Sequence, residues 1–183
     1  RRKNVALLIV AMARVVREPG LQRARLRIVG PELTTDDARY ATELKDLIAR
    51  LGLAHTVEMT GAMLQSETAG LYRTAALHLN VSNTGSMDKT VMEALACGCP
   101  VLTSNEALFE TLAAFPAMLI RAPAPDTLAA GIAGWLAGRT RAEPAALRAL
   151  VEHRHDLDSY ADRIIDQLAS LVAEQRAGHG ESS

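Results

Sequence analysis

Between Ser82 and Glu93 the chain places, in order, a polar loop, a glycine, a helix start and a carboxylate one turn in. The loop from Ser82 to Lys89 has no apolar residue except Met87, so a core would gain little from it and a ligand could gain more. Gly85 permits a sharp backbone path. At the helix start, the N–H groups of Lys89, Thr90 and Val91 lack intrahelical partners and point into the loop's concavity. Such a helix start favours an anion, most simply a phosphate. Glu93 stands among Val91, Met92, Ala94, Leu95 and Ala96, and a carboxylate in that company needs a partner. Two kinds fit. One is a vicinal diol such as that of a ribose, which suits two acceptor oxygens; the other is the protein's own backbone or an arginine.

These groups need a scaffold, and the flanking residues predict one. Leu77, Leu79 and Val81 alternate with His78 and Asn80, and Val101 and Leu102 follow Gly98 and Pro100. Two strands bracketing a helix from about Thr90 to Cys97 make a βαβ unit. Upstream, a helix over 3–18 carries Val5, Leu8, Ile9, Met12, Val15 and Val16 at helical spacing and stops at Pro19-Gly20. A strand over 26–29 closes at Gly30-Pro31, and a helix capped by Thr34 or Thr35 runs through Leu51, with Asp36 and Asp37 in its first turn. A strand over 57–59 and a short helix over 66–73 lead into the central unit.

Downstream, the pattern predicts a helix from Ser104 carrying Leu108, Phe109 and Leu112, and a strand over 118–120. Three helices follow, over 126–137, 144–153 and 159–174. The first buries Leu128, Ile132, Trp135 and Leu136; the last carries Tyr160, Ile164, Ile165, Leu168 and Leu171 on one stripe. Strands alternating with helices imply an α/β doubly wound parallel sheet, Rossmann-like, with its ligand at the carboxyl ends of the strands. Residues 1–175 form one domain, and 176–183 are a polar tail.

Ser82, the polar loop, Glu93-Ala94-Leu95-Ala96-Cys97-Gly98 and Pro100-Val101 together resemble the nucleotide-sugar-binding segment of family 4 glycosyltransferases. Those are retaining enzymes of the two-domain GT-B architecture, with a usual text close to PS-x-x-EGFG-x-x-x-LEAMACG-x-PV. Gly85 stands where the family carries its first glutamate, and Ser86, Met87 and Asp88 replace Gly-Phe-Gly. Thr84 to Lys89 match a TGS-x-DK variant. Lys3-Asn4 is similar to the end of the family's GRL-x-x-x-KN, Gly30-Pro31 to its VG-x-GP element, and Thr60-Gly61-Ala62-Met63 to its TG-x-V loop.

The resemblance implies the C-terminal, donor-binding half of a GT-B enzyme, with its first strand and acceptor-binding domain upstream. It implies a nucleotide diphosphate sugar as donor substrate and no separate cofactor. Glu93 would bind the ribose and Lys3 the leaving diphosphate. Ser82, Gly85, Ser86, Met87, Asp88, Lys89, Thr90, Val91, Gly30, Gly61 and Met63 would line the donor pocket. Glu110 falls where the family often has a glutamate facing the cleft, although a solvated helix acid is the preferred reading of it. The departure at Gly85 keeps a second reading open, a non-catalytic nucleotide-binding module of GT-B descent.

Composition narrows the remaining classes. The 183 residues are 49% hydrophobic and 22% charged, which fits a folded domain with a sizeable core. A net charge of -1 offers no general attraction for nucleic acid. No apolar run reaches the roughly 20 residues of a membrane span, and the basic start lacks a signal-peptide cleavage site. Peripheral membrane association of the full-length protein stays open. Cys97 and Cys99 flank Gly98 too closely for an ordinary disulfide; they read as reduced packing residues and suit the cytoplasm. His153 and His155 diverge at a helix end without further ligands at metal spacing, so no metal site is expected. The Gly-x-Gly-x-x-Gly fingerprint of nicotinamide enzymes is absent, as are P-loop, serine hydrolase and zincin motifs.

Overall fold

The computed structural model describes residues 3–82, 85–155, 161–162 and 164–171. The order is α1 (Val5–Val15), β1 (Leu26–Val29), α2 (Thr35–Arg50), β2 (Val57–Gly61), α3 (Gln65–Thr74), β3 (His78–Asn80), α4 (Lys89–Ala96), β4 (Val101–Thr103), α5 (Pro125–Leu136) and α6 (Pro144–His155). Two short 3-10 turns, Glu106–Leu108 and Pro116–Met118, lie between β4 and α5. β1 pairs with β2 and β3 with β4, both in parallel.

Apolar residues collect in two clusters, as two helical layers around a sheet require. One joins α1, α2 and α5 through Ile9, Met12, Leu44, Ile48 and Leu128; the other joins α4 and α6 through Val91, Leu95 and Leu147. β4 shows the alternation that divides them, with Leu102 in the first cluster and Val101 in the second. Helix ends follow local chemistry. Thr34 and Asp37 close a capping box at the start of α2. Gly98 ends α4 at φ 77°, where a Cβ would come within 2.8 Å of the Pro144 Cβ, so only glycine lets α6 approach this closely.

The two strand pairs do not pair with each other. Between β1 and β3 lies a cavity of about 670 Å³, lined along its length by residues 25–29 and 77–81 and walled by side chains of α1, α3 and α5. In parallel pairing, alternate backbone groups face opposite neighbours. Leu26 and Gly30 donate to the β2 side and His78 to the β4 side, so the amides of Arg27, Val29 and Leu79 are directed toward the cavity.

The segment after β4 departs from expectation. Instead of a continuous helix from Ser104 there is a 3-10 turn capped by Asn105, then irregular turns that include a bond from the Leu112 amide to the Leu108 carbonyl at 2.9 Å, and Phe115, ahead of Pro116, leaves the helical conformation. Instead of a strand over 118–120 there is one isolated parallel bridge, Leu119 to Thr103, since β4 ends there. Trp135 and Leu136 are half-buried, whereas Leu128 and Ile132 are core residues. Residues 161–162 and 164–171 are helical, but Ile164, Ile165, Leu168 and Leu171 are exposed and cover no core. Tyr160 and the tail 176–183 lie outside the described residues.

Candidate functional site

The start of α1 is carried to the carboxyl end of β3. Asn4 caps α1 in the left-handed conformation, φ 46°, and its Nδ2 donates to the Val81 carbonyl at 3.1 Å. That bond holds Lys3 over the loop entering α4, with its Nζ 3.7 Å from Asp88 Oδ2. The Lys3 side chain remains 62% exposed, so the pair contributes little stability. It places a cation at the mouth of α4.

The anion site predicted at the helix start is only partly open. Asp88 is the N-cap, and its Oδ1 accepts from the Thr90 amide at 3.2 Å and the Thr90 hydroxyl at 2.9 Å. The Val91 amide donates to the Asp88 carbonyl at 3.0 Å, and the Val91 side chain is fully buried. Aspartate is among the strongest N-cap residues, and its carboxylate here occupies the Thr90 amide while its backbone carbonyl occupies that of Val91. The expectation of free amides at Thr90 and Val91 is therefore corrected; the Lys89 amide has no partner among the described residues. Burial pushes the Asp88 carboxyl pKa up. The Thr90 hydroxyl, the Lys3 ammonium, the Asn80 amide and the Thr90 N–H outweigh it and hold the group below its ordinary value.

Glu93 is half-buried and lines the larger cavity together with Lys3, Met63, Tyr72 and Thr90. Among the described residues no hydrogen bond or ion pair engages its carboxylate. Of the two partners left open by the sequence, an internal one is not what the fold supplies. Burial, then the charges of Glu93 and Asp88, push the Tyr72 hydroxyl up to about 12, so that group stays a neutral donor. Tyr72 also meets His78 edge to face at 5.4 Å. Burial lowers the His78 pKa to about 4, Asp88 opposing and Lys3 assisting, and its Nε2 is enclosed without a partner.

Gly30 and Gly61 are brought together by the bond from the Gly30 amide to the Gly61 carbonyl at 2.9 Å. They line a second cavity of about 560 Å³, which shares Lys3 and Val29 with the first. Ser82 is buried with an unpartnered Oγ. Gly85, Ser86, Met87 and Lys89 are exposed and line neither cavity. Asp88 is turned inward, so no acid takes the outward place of the missing loop glutamate.

The pattern did not single out Asn80, Thr103 and Asn105, all buried, whose side chains bond beneath the loop. A signal existed: Asn80 occupies a strand alternation point opposite Thr103, where a polar residue on either buried face needs a partner. Cys97 and Cys99 are free thiols, and burial raises the Cys99 thiol to about 11. Among the described residues no three His, Cys, Asp or Glu side chains gather to hold a metal ion, and no helix is long and apolar enough to cross a membrane.

A parallel α/β domain whose cleft gathers Lys3, Thr90 and Glu93 is the class that fold and site define. The chain belongs to the glycosyl transferases group 1 family, whose model matches residues 1–138. It is 32% identical over 181 residues to a D-inositol 3-phosphate glycosyltransferase of Segniliparus rotundus, covering 96% of this chain and 38% of that protein. It is 29% identical over 110 residues to an alpha-monoglucosyldiacylglycerol synthase of Streptococcus pneumoniae, covering 60% of this chain and 23% of that protein. Among solved structures, Anabaena Alr3699/HepE in complex with UDP and glucose superposes with a TM-score of 0.77 at 23% identity, over 92% of this chain and 45% of that one. Sucrose-phosphate synthase from Thermosynechococcus elongatus gives 0.76 at 24% identity, over 95% of this chain and 43% of that one. The chain thus spans less than half the length of these relatives, and it shares its parallel α/β fold with GT-B glycosyltransferases.

Proposed function

We propose that this chain is the donor-binding half of a retaining family 4 glycosyltransferase that uses a nucleotide diphosphate sugar. The observation that carries the reading is Glu93, a half-buried carboxylate without a partner among the described residues, in the same cavity as Lys3 and Thr90. Two acceptor oxygens there suit the two ribose hydroxyls. Lys3, with its flexible stem and exposed ammonium, supplies positive charge to the diphosphate, joined by the Lys89 amide, which has no partner among the described residues. Stabilising the leaving diphosphate lowers the barrier to breaking the bond to the sugar. Gly30, Gly61 and Met63 border the base end, where backbone groups do the recognition.

The slot between β1 and β3 supports a further part of the reading. Its two walls are parallel strand edges with amides directed inward, and it ends beside Lys3, where α1 begins. An extended segment of the same polypeptide, just upstream of α1, completes the sheet there, and an acceptor-binding domain precedes it. The larger cavity is then shared between strand and donor. The protein acts in the cytoplasm, with peripheral membrane contact left to the acceptor half. Isothermal calorimetry with UDP, GDP, ADP and their nucleosides tests the donor reading. Affinity for one diphosphate well above its nucleoside supports it; no binding by any of the three contradicts it. The alternative, a non-catalytic nucleotide-binding module, is favoured by Gly85 in place of an acid and is excluded by glycosyl transfer from the full-length protein.

A further inference from the structure

Beneath the loop that enters α4 runs a directional chain of hydrogen bonds between three buried polar residues, Asn80, Thr103 and Asn105, exposed by 4%, 1% and 0%. The Asn105 amide donates to Thr103 Oγ1 at 3.0 Å, and the Thr103 hydroxyl donates onward to Asn80 Oδ1 at 3.0 Å. Asn80 Nδ2 donates to Asp88 Oδ2 at 2.8 Å, the same oxygen that faces the Lys3 ammonium at 3.7 Å. At the other end, Asn105 Nδ2 donates to the Ser86 carbonyl at 2.8 Å, and its Oδ1 accepts from the Ala107 amide at 3.2 Å.

We propose that Asn80, Thr103 and Asn105 are positioning residues for the donor diphosphate, acting through Asp88 on Lys3 and through Ser86 on the loop. The inference rests on the donor-binding reading above and adds residues the sequence pattern did not assign to the site. Three arguments carry it. Holding the carboxyl ends of β3 and β4 together requires no polar side chains there, and apolar ones would avoid the desolvation cost of three buried amide and hydroxyl groups. The chain is fixed in direction: Thr103 Oγ1 accepts from Asn105 and donates to Asn80, which sets the Asn80 amide with Nδ2 toward Asp88. Its two ends then grip the loop at Ser86 and Asp88, bracketing the backbone that leads into α4. Asp88 is thereby kept inward, where it aligns the Lys3 ammonium instead of projecting a second negative charge toward a bound diphosphate.

The test compares wild type with Asn80→Ala, Asn105→Ala and Lys3→Ala by calorimetry, using UDP, GDP and ADP and the matching nucleosides. A tenfold or greater loss of diphosphate affinity in Asn80→Ala and Asn105→Ala, with nucleoside affinity within twofold of wild type, supports positioning. So does non-additivity in Asn80→Ala/Lys3→Ala, because Asn80 then acts through the lysine. Equal losses for diphosphate and nucleoside, or additive effects, overturn it by reducing the network to scaffolding. Where Asn80→Ala does not fold, Asn105→Ala, which leaves the Asn80–Asp88 bond intact, carries the same comparison. A wild-type chain that binds none of the diphosphates overturns the donor reading and this inference together; binding with unchanged variants overturns this inference alone.

Discussion

His78 allows a prediction worked from the structure. Its ring lies edge-on to Tyr72 with Nε2 enclosed and unpartnered, and burial lowers its pKa from 6.5 to about 4. The unfolded chain takes up a proton as pH falls through about 6.5, while the folded chain refuses it until about 4. The depressed folded value means this contribution is fully present above pH 6.5, is lost progressively on the way down, and stays constant below about 4. Between about pH 7.5 and about pH 4.5 the loss from this one group is roughly 2–3 kcal/mol, at about 1.4 kcal/mol per tenfold change in proton binding. Asp88, held below its ordinary value, adds acid sensitivity of its own. The assay is therefore the difference between wild type and His78→Phe, which keeps an aromatic edge against Tyr72 and removes the titration. Urea unfolding across that range should show the wild type losing this extra amount relative to the variant. A constant difference, or an NMR titration of His78 near 6.5, refutes the reasoning.

Lys3→Ala should weaken diphosphate binding by about tenfold, as expected for a charge-assisted contact at an exposed site, and leave nucleoside binding within twofold; calorimetry reads both, and equal losses remove the assignment. Lengthening the chain upstream through one more strand should slow hydrogen exchange at the Arg27, Val29 and Leu79 amides at least a hundredfold; unchanged rates would mean the slot is not a strand position. Gly98→Ala puts a Cβ 2.7 Å from Arg148 Nη1 and 2.8 Å from the Pro144 Cβ at a positive φ. It should cost roughly 1–3 kcal/mol in urea unfolding without changing nucleotide affinity, and a neutral result would show that α6 yields freely.

The elements of the central unit are legible because their signals are local. Alternation at Leu77, Leu79 and Val81, the threonine cap ahead of Asp36 and Asp37, and the glycine after Cys97 each act within a few residues. The segment after β4 is not, since its path is set by where β4 ends and by the packing of Leu108, Leu112 and Met118 in the second core cluster. The exposed stripe of Ile164, Ile165, Leu168 and Leu171 shows the limit of periodicity: it identifies an apolar helical face without saying what covers it. In the site, Glu93 is visible because a lone acid in an apolar helix breaks the pattern. Asp88 misleads, because a residue that reads as part of an open phosphate loop caps the helix itself. Asn80 is hidden for the opposite reason, since a polar residue at an alternation point reads as solvated until the partner strand places Thr103 against it.

The most direct test of the account is Glu93→Ala measured with a nucleoside diphosphate and its 2′,3′-dideoxy analogue. Two charge-assisted hydrogen bonds to the ribose predict a loss of about 10- to 100-fold for the natural ligand. The dideoxy compound should bind both proteins equally, and urea stability should stay near wild type because Glu93 leaves no protein partner stranded. If the variant loses the same factor with both ligands, or nothing with either, the carboxylate does not hold the ribose and the donor site lies elsewhere.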